Sequence, residues 1–204
     1  MNELVSKALN EGKFVGAILI DLQKAFDTVN RKILIQKLEK VGIRGKMLKI
    51  LDSYLNERTS ITKIGNGFSQ ELNCEDGVPQ GSILGPILFL IYINDIEDGI
   101  ETQNILLFAD DIFLLSIHYK YEAMTLNLQN QFDKICEWCV KNDVFLSEDK
   151  TVHIVIRTPH MKFNATHVWV RDENLGNTPL KLVNDAKYLG MTLGKNWKHK
   201  NHIP

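Results

Sequence analysis

Three cysteines in 204 residues are too few, and odd in number, for a disulfide framework, so the chain is expected in a reducing, intracellular compartment, with nothing to separate nucleus from cytoplasm. A long hydrophobic run is missing as well. The longest, residues 83–93, is broken by Gly85 and Pro86 and falls short of the roughly 20 residues that a membrane-spanning helix needs. The opening MNELVSKALNEGKF lacks the continuous apolar stretch of a secretory signal, which leaves Asn164-Ala165-Thr166 an idle sequon. Nor does one sign of charge dominate: 24 Lys/Arg stand against 25 Asp/Glu, a net −1, by itself a poor match to a phosphate backbone. No repeat or low-complexity tract appears, and 44% hydrophobic residues suit a folded core.

What is present is unevenly placed. Residues 1–150 carry 16 Lys/Arg and 22 Asp/Glu, a net −6, while residues 151–204 carry 8 and 3, a net +5. This split suggests an acidic body that could hold a cation, joined to a basic flank that could meet nucleic acid. Residues 13–21 (KFVGAILID) read as a buried strand ending on a carboxylate. Ile33, Leu34, Leu38 and Val41, then Leu48, Leu51 and Leu55, have the spacing of two helices. Residues 60–64 and 69–74 flank Gly65-Asn66-Gly67 as a hairpin. Residues 87–96 are expected as a buried helix, and NILLFADDIFLLSI (104–117) as a strand-turn-strand hairpin buried on both faces. Leu128, Phe132, Ile135, Cys136 and Cys139 predict a helix over 121–141, with the two thiols in its core. Residues 152–156, 167–170 and 188–193 complete the set as strands. This order predicts an α+β sandwich with helices on one face of an antiparallel sheet.

Two adjacent aspartates, Asp110 and Asp111, interrupt an apolar hairpin, where buried carboxylates repel one another and lose hydration. The bland explanation is a turn that exposes both. Asp21, closing another buried strand, argues for more: three carboxylates on neighbouring strand ends can hold two Mg²⁺ ions, with Mn²⁺ as a substitute, roughly 3.5–4 Å apart, to activate an attacking 3′-hydroxyl and stabilise leaving pyrophosphate. Asp27, six residues on in DLQKAFD, is expected to be structural, as a helix cap. The stretch Asp95, Glu97, Asp98 and Glu101 lacks a calcium-loop pattern, and CEWC has no second metal-binding pair.

AILIDLQKAFDTV, GVPQGSILGPILFLIYINDI and LLFADDIFLL, in this order, resemble the catalytic blocks of reverse transcriptase domains from non-LTR retrotransposons of the jockey or LINE type. The resemblance covers nearly the whole chain, with CEWCVKNDVFLSEDKT and AKYLGMTL as weaker continuations. It implies a right-hand polymerase palm, a ferredoxin-like sheet with helices on one face, with partial fingers and a truncated thumb. It divides residues 1–204 into a catalytic palm with partial fingers (1–150) and a basic primer-grip flank (151–204). Asp21, the Leu22 carbonyl, Asp110 and Asp111 would be metal ligands. Phe26, Gln80, Gly81 and Lys150 would meet the nucleotide, Phe26 by excluding a ribose 2′-hydroxyl. Tyr188, Leu189 and Gly190 would form the primer grip, a tight turn that holds the primer strand towards the metals, with Lys181, Lys187, Lys195, Lys198 and Lys200 near the phosphates, and Arg58 and Lys63 as further phosphate contacts. Ser147 stands where the family has asparagine.

The activity implied is RNA-directed DNA synthesis, with an RNA template, a DNA primer and dNTPs as partners. A second reading is an inactive retroelement remnant that at most binds nucleic acid or a protein, since only 20 residues precede Asp21 and the basic fingers segment is expected upstream. A third is an RNA-dependent RNA polymerase or another palm-fold nucleotidyltransferase, and Phe26 speaks against ribonucleotides.

Overall fold

The computed structural model describes residues 2–56, 58–98, 100, 104–172, 176–195 and 197. In chain order the elements are α1 (Asn2–Asn10), β1 (Phe14–Asp21), α2 (Arg31–Lys40), α3 (Gly45–Asn56), β2 (Thr59–Ser60), β3 (Lys63–Ile64), β4 (Gly67–Phe68), β5 (Leu72–Asn73), α4 (Leu84–Ile93), a 3₁₀ turn (Asn94–Glu97), β6 (Ile105–Phe108), β7 (Asp111–His118), α5 (Tyr121–Lys141), β8 (Val152–Ile156), β9 (Trp169–Asp172), β10 (Gly176–Pro179), β11 (Lys181–Val183), β12 (Asp185–Tyr188) and β13 (Met191–Gly194). They fall into two compact units, one of residues 1–22, 97–140 and 145–204, the other of 23–96 and 141–144.

The first unit is built on a five-stranded sheet in the order β11-β8-β1-β7-β6. Strand β1 lies at its centre because FVGAILID is apolar on both pleat faces, so both must be covered. It pairs antiparallel with β7 from Phe14↔His118 to Asp21↔Asp111, and with β8 on its other side. Val15, Ala17, Leu19, Phe113, Leu115, Ile154 and Ile156 line one face and pack with Val5 and Ala8 of α1 and with Ala186, Tyr188 and Leu193 of the β12–β13 hairpin. Each large apolar side chain buried here contributes roughly 1.5–3 kcal/mol. Helix α5 lies against Gly16, where an added Cβ would sit 2.1 Å from Met124 Sδ and 3.0 Å from Leu128 Cδ2. The missing side chain is what lets the helix come so close.

Three expectations change in this unit. The sheet is antiparallel except at its edge, where β11 joins β8 in parallel, and α1 packs on it as well as α5. Strand β6 is not buried on both faces: among the described residues β7 is its only neighbour, and Leu106 and Phe108 are exposed. Residues 188–193 are not one strand but the turn of a hairpin, with Tyr188↔Met191 closing β12 on β13 and Leu189 and Gly190 both at positive φ (47° and 77°).

In the second unit α2 begins at Asn30, whose side chain accepts a hydrogen bond from the Ile33 N–H. Asn30, not Asp27, is therefore the cap. Leu34, Leu38, Leu51 and Leu55 are buried as their spacing predicts, whereas Val41 is exposed. The apolar helix α4 starts three residues before its expected position, and Ile87 and Leu90 face outward, so it is half buried. The expected hairpin is present as two short ladders, β2 with β5 and β3 with β4. Asp95 receives a hydrogen bond from the Lys37 ammonium at 2.6 Å, and the same ammonium donates to the Tyr92 carbonyl at 2.6 Å. Asp95 of the acidic stretch thus compensates a buried cation; Glu101 lies outside the described residues.

Candidate active site

Register places the carboxylates. In the first unit, Asp21 ends β1 and Asp111 begins β7, and the two are direct cross-strand partners. Like charges facing each other in this way destabilise a ladder. Asp110 occupies the two-residue turn between Phe108 and Asp111, which are themselves paired. Its neighbour Ala109 is held at φ 52°, a left-handed conformation that costs a non-glycine residue about 1 kcal/mol or more. Burial raises the Asp111 pKa above the ordinary carboxylate value, and the charges of Asp110 and Asp21 raise it further. The three acids therefore share one field, and their mutual repulsion is only partly offset.

Lys150 supplies part of the offset, its Nζ lying 3.3 Å from Asp21 Oδ2. The segment that carries it is tied to the end of β1 through the main chain: the Ser147 N–H donates to the Asp21 carbonyl at 2.8 Å, and the Asp21 N–H donates to Thr151 Oγ1 at 3.3 Å. Because the Ser147 bond uses its backbone, serine in place of asparagine leaves that bond intact. Leu22 pairs with Leu146 in an antiparallel bridge; the bridge uses the Asp21 carbonyl and leaves the Leu22 carbonyl out of that bond. Asp21, Asp111, Lys150, Asp185, Lys187 and Tyr188 all line one cleft of 340 Å³. The Tyr188 ring packs against Phe113 with centroids 4.9 Å apart. Its hydroxyl pKa is raised by burial and then by the Asp111 charge. The β12–β13 hairpin thus brings Tyr188 to the carboxylates, while Leu189 stands exposed at the turn.

The donors suit a hard divalent cation, since carboxylate oxygens whose repulsion is only partly offset are what such an ion neutralises. Among the described residues, however, no three His, Cys, Asp or Glu side chains are gathered at metal-holding distance. Asp21 is engaged with Lys150 instead. A cation would have to draw the acids together.

The second unit holds Phe26, Gln80 and Gly81. Phe26 stacks on Phe89, with ring centroids 4.6 Å apart. The GVPQG loop is fixed to the chain around Phe26: the Gly77 N–H donates to the Val29 carbonyl and the Val78 N–H to the Phe26 carbonyl, both at 2.8 Å. A Cβ at Gly77 would lie 2.7 Å from the Asp27 carbonyl oxygen. Gln80 Nε2 donates to Asp27 Oδ1 at 2.8 Å. Gly81, at φ 78°, has open space around it.

Sequence reasoning missed Arg31, a buried guanidinium that donates to the carbonyls of Gly77 (3.2 Å) and Asp76 (2.8 Å). Burial lowers its pKa, with the Arg58 charge adding to the effect. Arg58, expected at phosphates, donates to the same Gly77 carbonyl at 3.1 Å. No local pattern marks a buried arginine that serves a loop some 45 residues away. Of the expected basic contacts, Lys181, Lys187 and Lys195 are described, whereas Lys198 and Lys200 lie outside the described residues.

Residues 3–193 match the sequence family described as reverse transcriptase (RNA-dependent DNA polymerase). The chain is 28% identical over 98% of its length to a probable RNA-directed DNA polymerase from transposon BS of Drosophila melanogaster, covering 22% of that protein. It is 28% identical over 97% of its length to the RNA-directed DNA polymerase from mobile element jockey of Drosophila funebris, covering 21% of it. It thus spans about a fifth of each of these two relatives. Among solved structures, telomerase from Candida albicans in complex with a fragment of telomeric RNA aligns over 99% of this chain and 33% of its own, with a TM-score of 0.61 and 14% identity. Apo telomerase from Candida tropicalis aligns over 99% and 36%, also with a TM-score of 0.61 and 14% identity. At that identity the structural likeness speaks to fold alone.

Proposed function

The chain belongs to the reverse transcriptase (RNA-dependent DNA polymerase) family, and from that premise we propose that it is the catalytic core of an RNA-directed DNA polymerase, adding dNTPs to a primer 3′-hydroxyl on an RNA template. The observation that carries this reading is the facing pair Asp21↔Asp111 at the ends of β1 and β7, with Asp110 in the adjoining turn and Lys150 and Tyr188 beside the pair. Two Mg²⁺ ions, or Mn²⁺, would be held by Asp21, the Leu22 carbonyl, Asp110 and Asp111. When bound they would supply charge neutralisation and activation of the 3′-hydroxyl.

The remaining roles belong to this chain's own groups. Lys150, whose Nζ lies 3.3 Å from Asp21 Oδ2, would place a cation where pyrophosphate develops and could donate a proton to it. Gln80 and the backbone at Gly81 meet the incoming nucleotide, and Phe26 excludes a ribose 2′-hydroxyl. Tyr188, Leu189 and Gly190 hold the primer end, and Lys181, Lys187 and Lys195 contact phosphates without reading sequence.

The test is primer extension on an RNA template with Mg²⁺, comparing dNTPs with rNTPs. The expected result is extension with dNTPs, little with rNTPs, and relaxed discrimination in Phe26→Val. Equal use of both nucleotides by the wild-type chain would refute deoxynucleotide selection; extension with rNTPs alone would replace this reading with RNA synthesis.

A further inference from the structure

Asp27 has no role in the reading above, and the geometry around it assigns one. It sits six residues past Asp21, is exposed, and does not cap α2, since Asn30 does. Its carboxylate accepts from Gln80 Nε2 at 2.8 Å across 53 residues of sequence. Further contacts hold the two segments together. The Gly77 and Val78 N–H groups bond to the carbonyls of Val29 and Phe26. Gly77 lies so close to Asp27 that no side chain could stand between them. Arg31 and Arg58 both donate to the Gly77 carbonyl.

We infer that Asp27 is a positioning residue for the nucleotide, acting through Gln80; the inference rests on the polymerase reading, in which Gln80 contacts the incoming dNTP. The chemistry is one of enforced orientation. A primary amide can turn either its oxygen or its nitrogen towards a partner, but an ionised carboxylate only accepts hydrogen bonds. Facing Asp27, the Gln80 amide must present Nε2, which leaves Oε1 and the second N–H in a fixed arrangement for the ligand. An uncharged asparagine side chain at this position could donate or accept, so either amide orientation would be tolerated and the preorganisation lost. Because Asp27 is exposed and asparagine has the same shape, Asp27→Asn perturbs the orientation without emptying a core.

The experiment is steady-state single-nucleotide extension of a primer on an RNA template with wild type, Asp27→Asn, Asp27→Glu, Gln80→Ala and the Asp27→Asn/Gln80→Ala double variant. Asp27→Asn is expected to raise the dNTP KM about tenfold with kcat within about twofold, as loss of a charge-assisted bond to a binding group should. Asp27→Glu, which keeps an acceptor-only carboxylate, should recover much of that loss. In the Gln80→Ala background, Asp27→Asn should cost nothing further, because the group it positions is gone. The inference alone is overturned if an active wild type and Asp27→Asn share one dNTP KM, or if Asp27→Asn costs as much without Gln80 as with it. A folded wild-type chain that extends no primer would overturn the polymerase reading itself, and the inference with it.

Discussion

His153 offers a test of the fold that owes nothing to catalysis. It lies on β8, pairs in register with Ile18, and is fully buried, with neither ring nitrogen hydrogen-bonded among the described residues. Burial, with the nearby His167 adding to it, pushes its pKa down from 6.5 to about 4. The unfolded chain takes up a proton at this residue below pH 6.5, while the native state resists until about pH 4. Stability from this group is therefore complete above pH 6.5 and declines as the pH falls from 6.5 to 4. At about 1.36 kcal/mol per unit the decline is on the order of 3 kcal/mol, a large share of the roughly 5–15 kcal/mol that holds a domain together. For a chain of this length that corresponds to roughly 6–12 °C in Tm. Thermal unfolding followed by circular dichroism between about pH 7 and pH 4.5 measures it in wild type and in His153→Leu, which fills similar volume without polar atoms. The variant is expected to be the more stable form near neutral pH, having no unpaired nitrogens to bury, and to lead by a widening margin as the pH drops. A margin that stays constant with pH would show that His153 does not resist protonation in the native state.

Gly77→Ala would force a side chain at φ 82° and 2.7 Å from the Asp27 carbonyl oxygen, so urea unfolding should show a loss of about 2–4 kcal/mol. Gly16→Ala would drive a methyl into Met124 at a cost of about 1–3 kcal/mol. Met124→Ala in the same chain should recover part of it, giving a coupling above about 0.5 kcal/mol in a double-mutant cycle. Lys150→Ala breaks an ion pair whose lysine is 70% exposed, so stability should move by less than about 0.5 kcal/mol. Single-turnover nucleotide addition should nonetheless slow by roughly 10²-fold if this lysine assists the leaving group.

The strands that carry the carboxylates were legible because their signal is local. β1 is an unbroken apolar run that stops at Asp21, and the β6–β7 turn falls where Ala109-Asp110 interrupts another. Helix α5 and strand β8 were bounded correctly by periodicity and length alone. Partner-dependent features were not legible. Ile87 and Leu90 look like core residues in the sequence of α4, yet nothing in the second unit covers them. β6 is as apolar as β7 but sits at a sheet edge. The tight turn at Tyr188-Leu189-Gly190 followed from the resemblance, but the hairpin around it was not legible locally, because Leu189 adopts φ 47°, a conformation that leucine seldom takes. Asp27, Arg31 and Arg58 acquire their partners only when the segment around Gly77 folds back on the segment around Asp27, and local patterns hold no trace of such pairings.

Whether Asp21, Asp110 and Asp111 form one catalytic set is tested by Mg²⁺-dependent primer extension on an RNA template with wild type and Asp110→Asn. Circular dichroism of both proteins would establish that each is folded. Wild type is expected to incorporate dNTPs, and the variant none above background. Comparable extension by folded Asp110→Asn would show that the three acids are not one catalytic set.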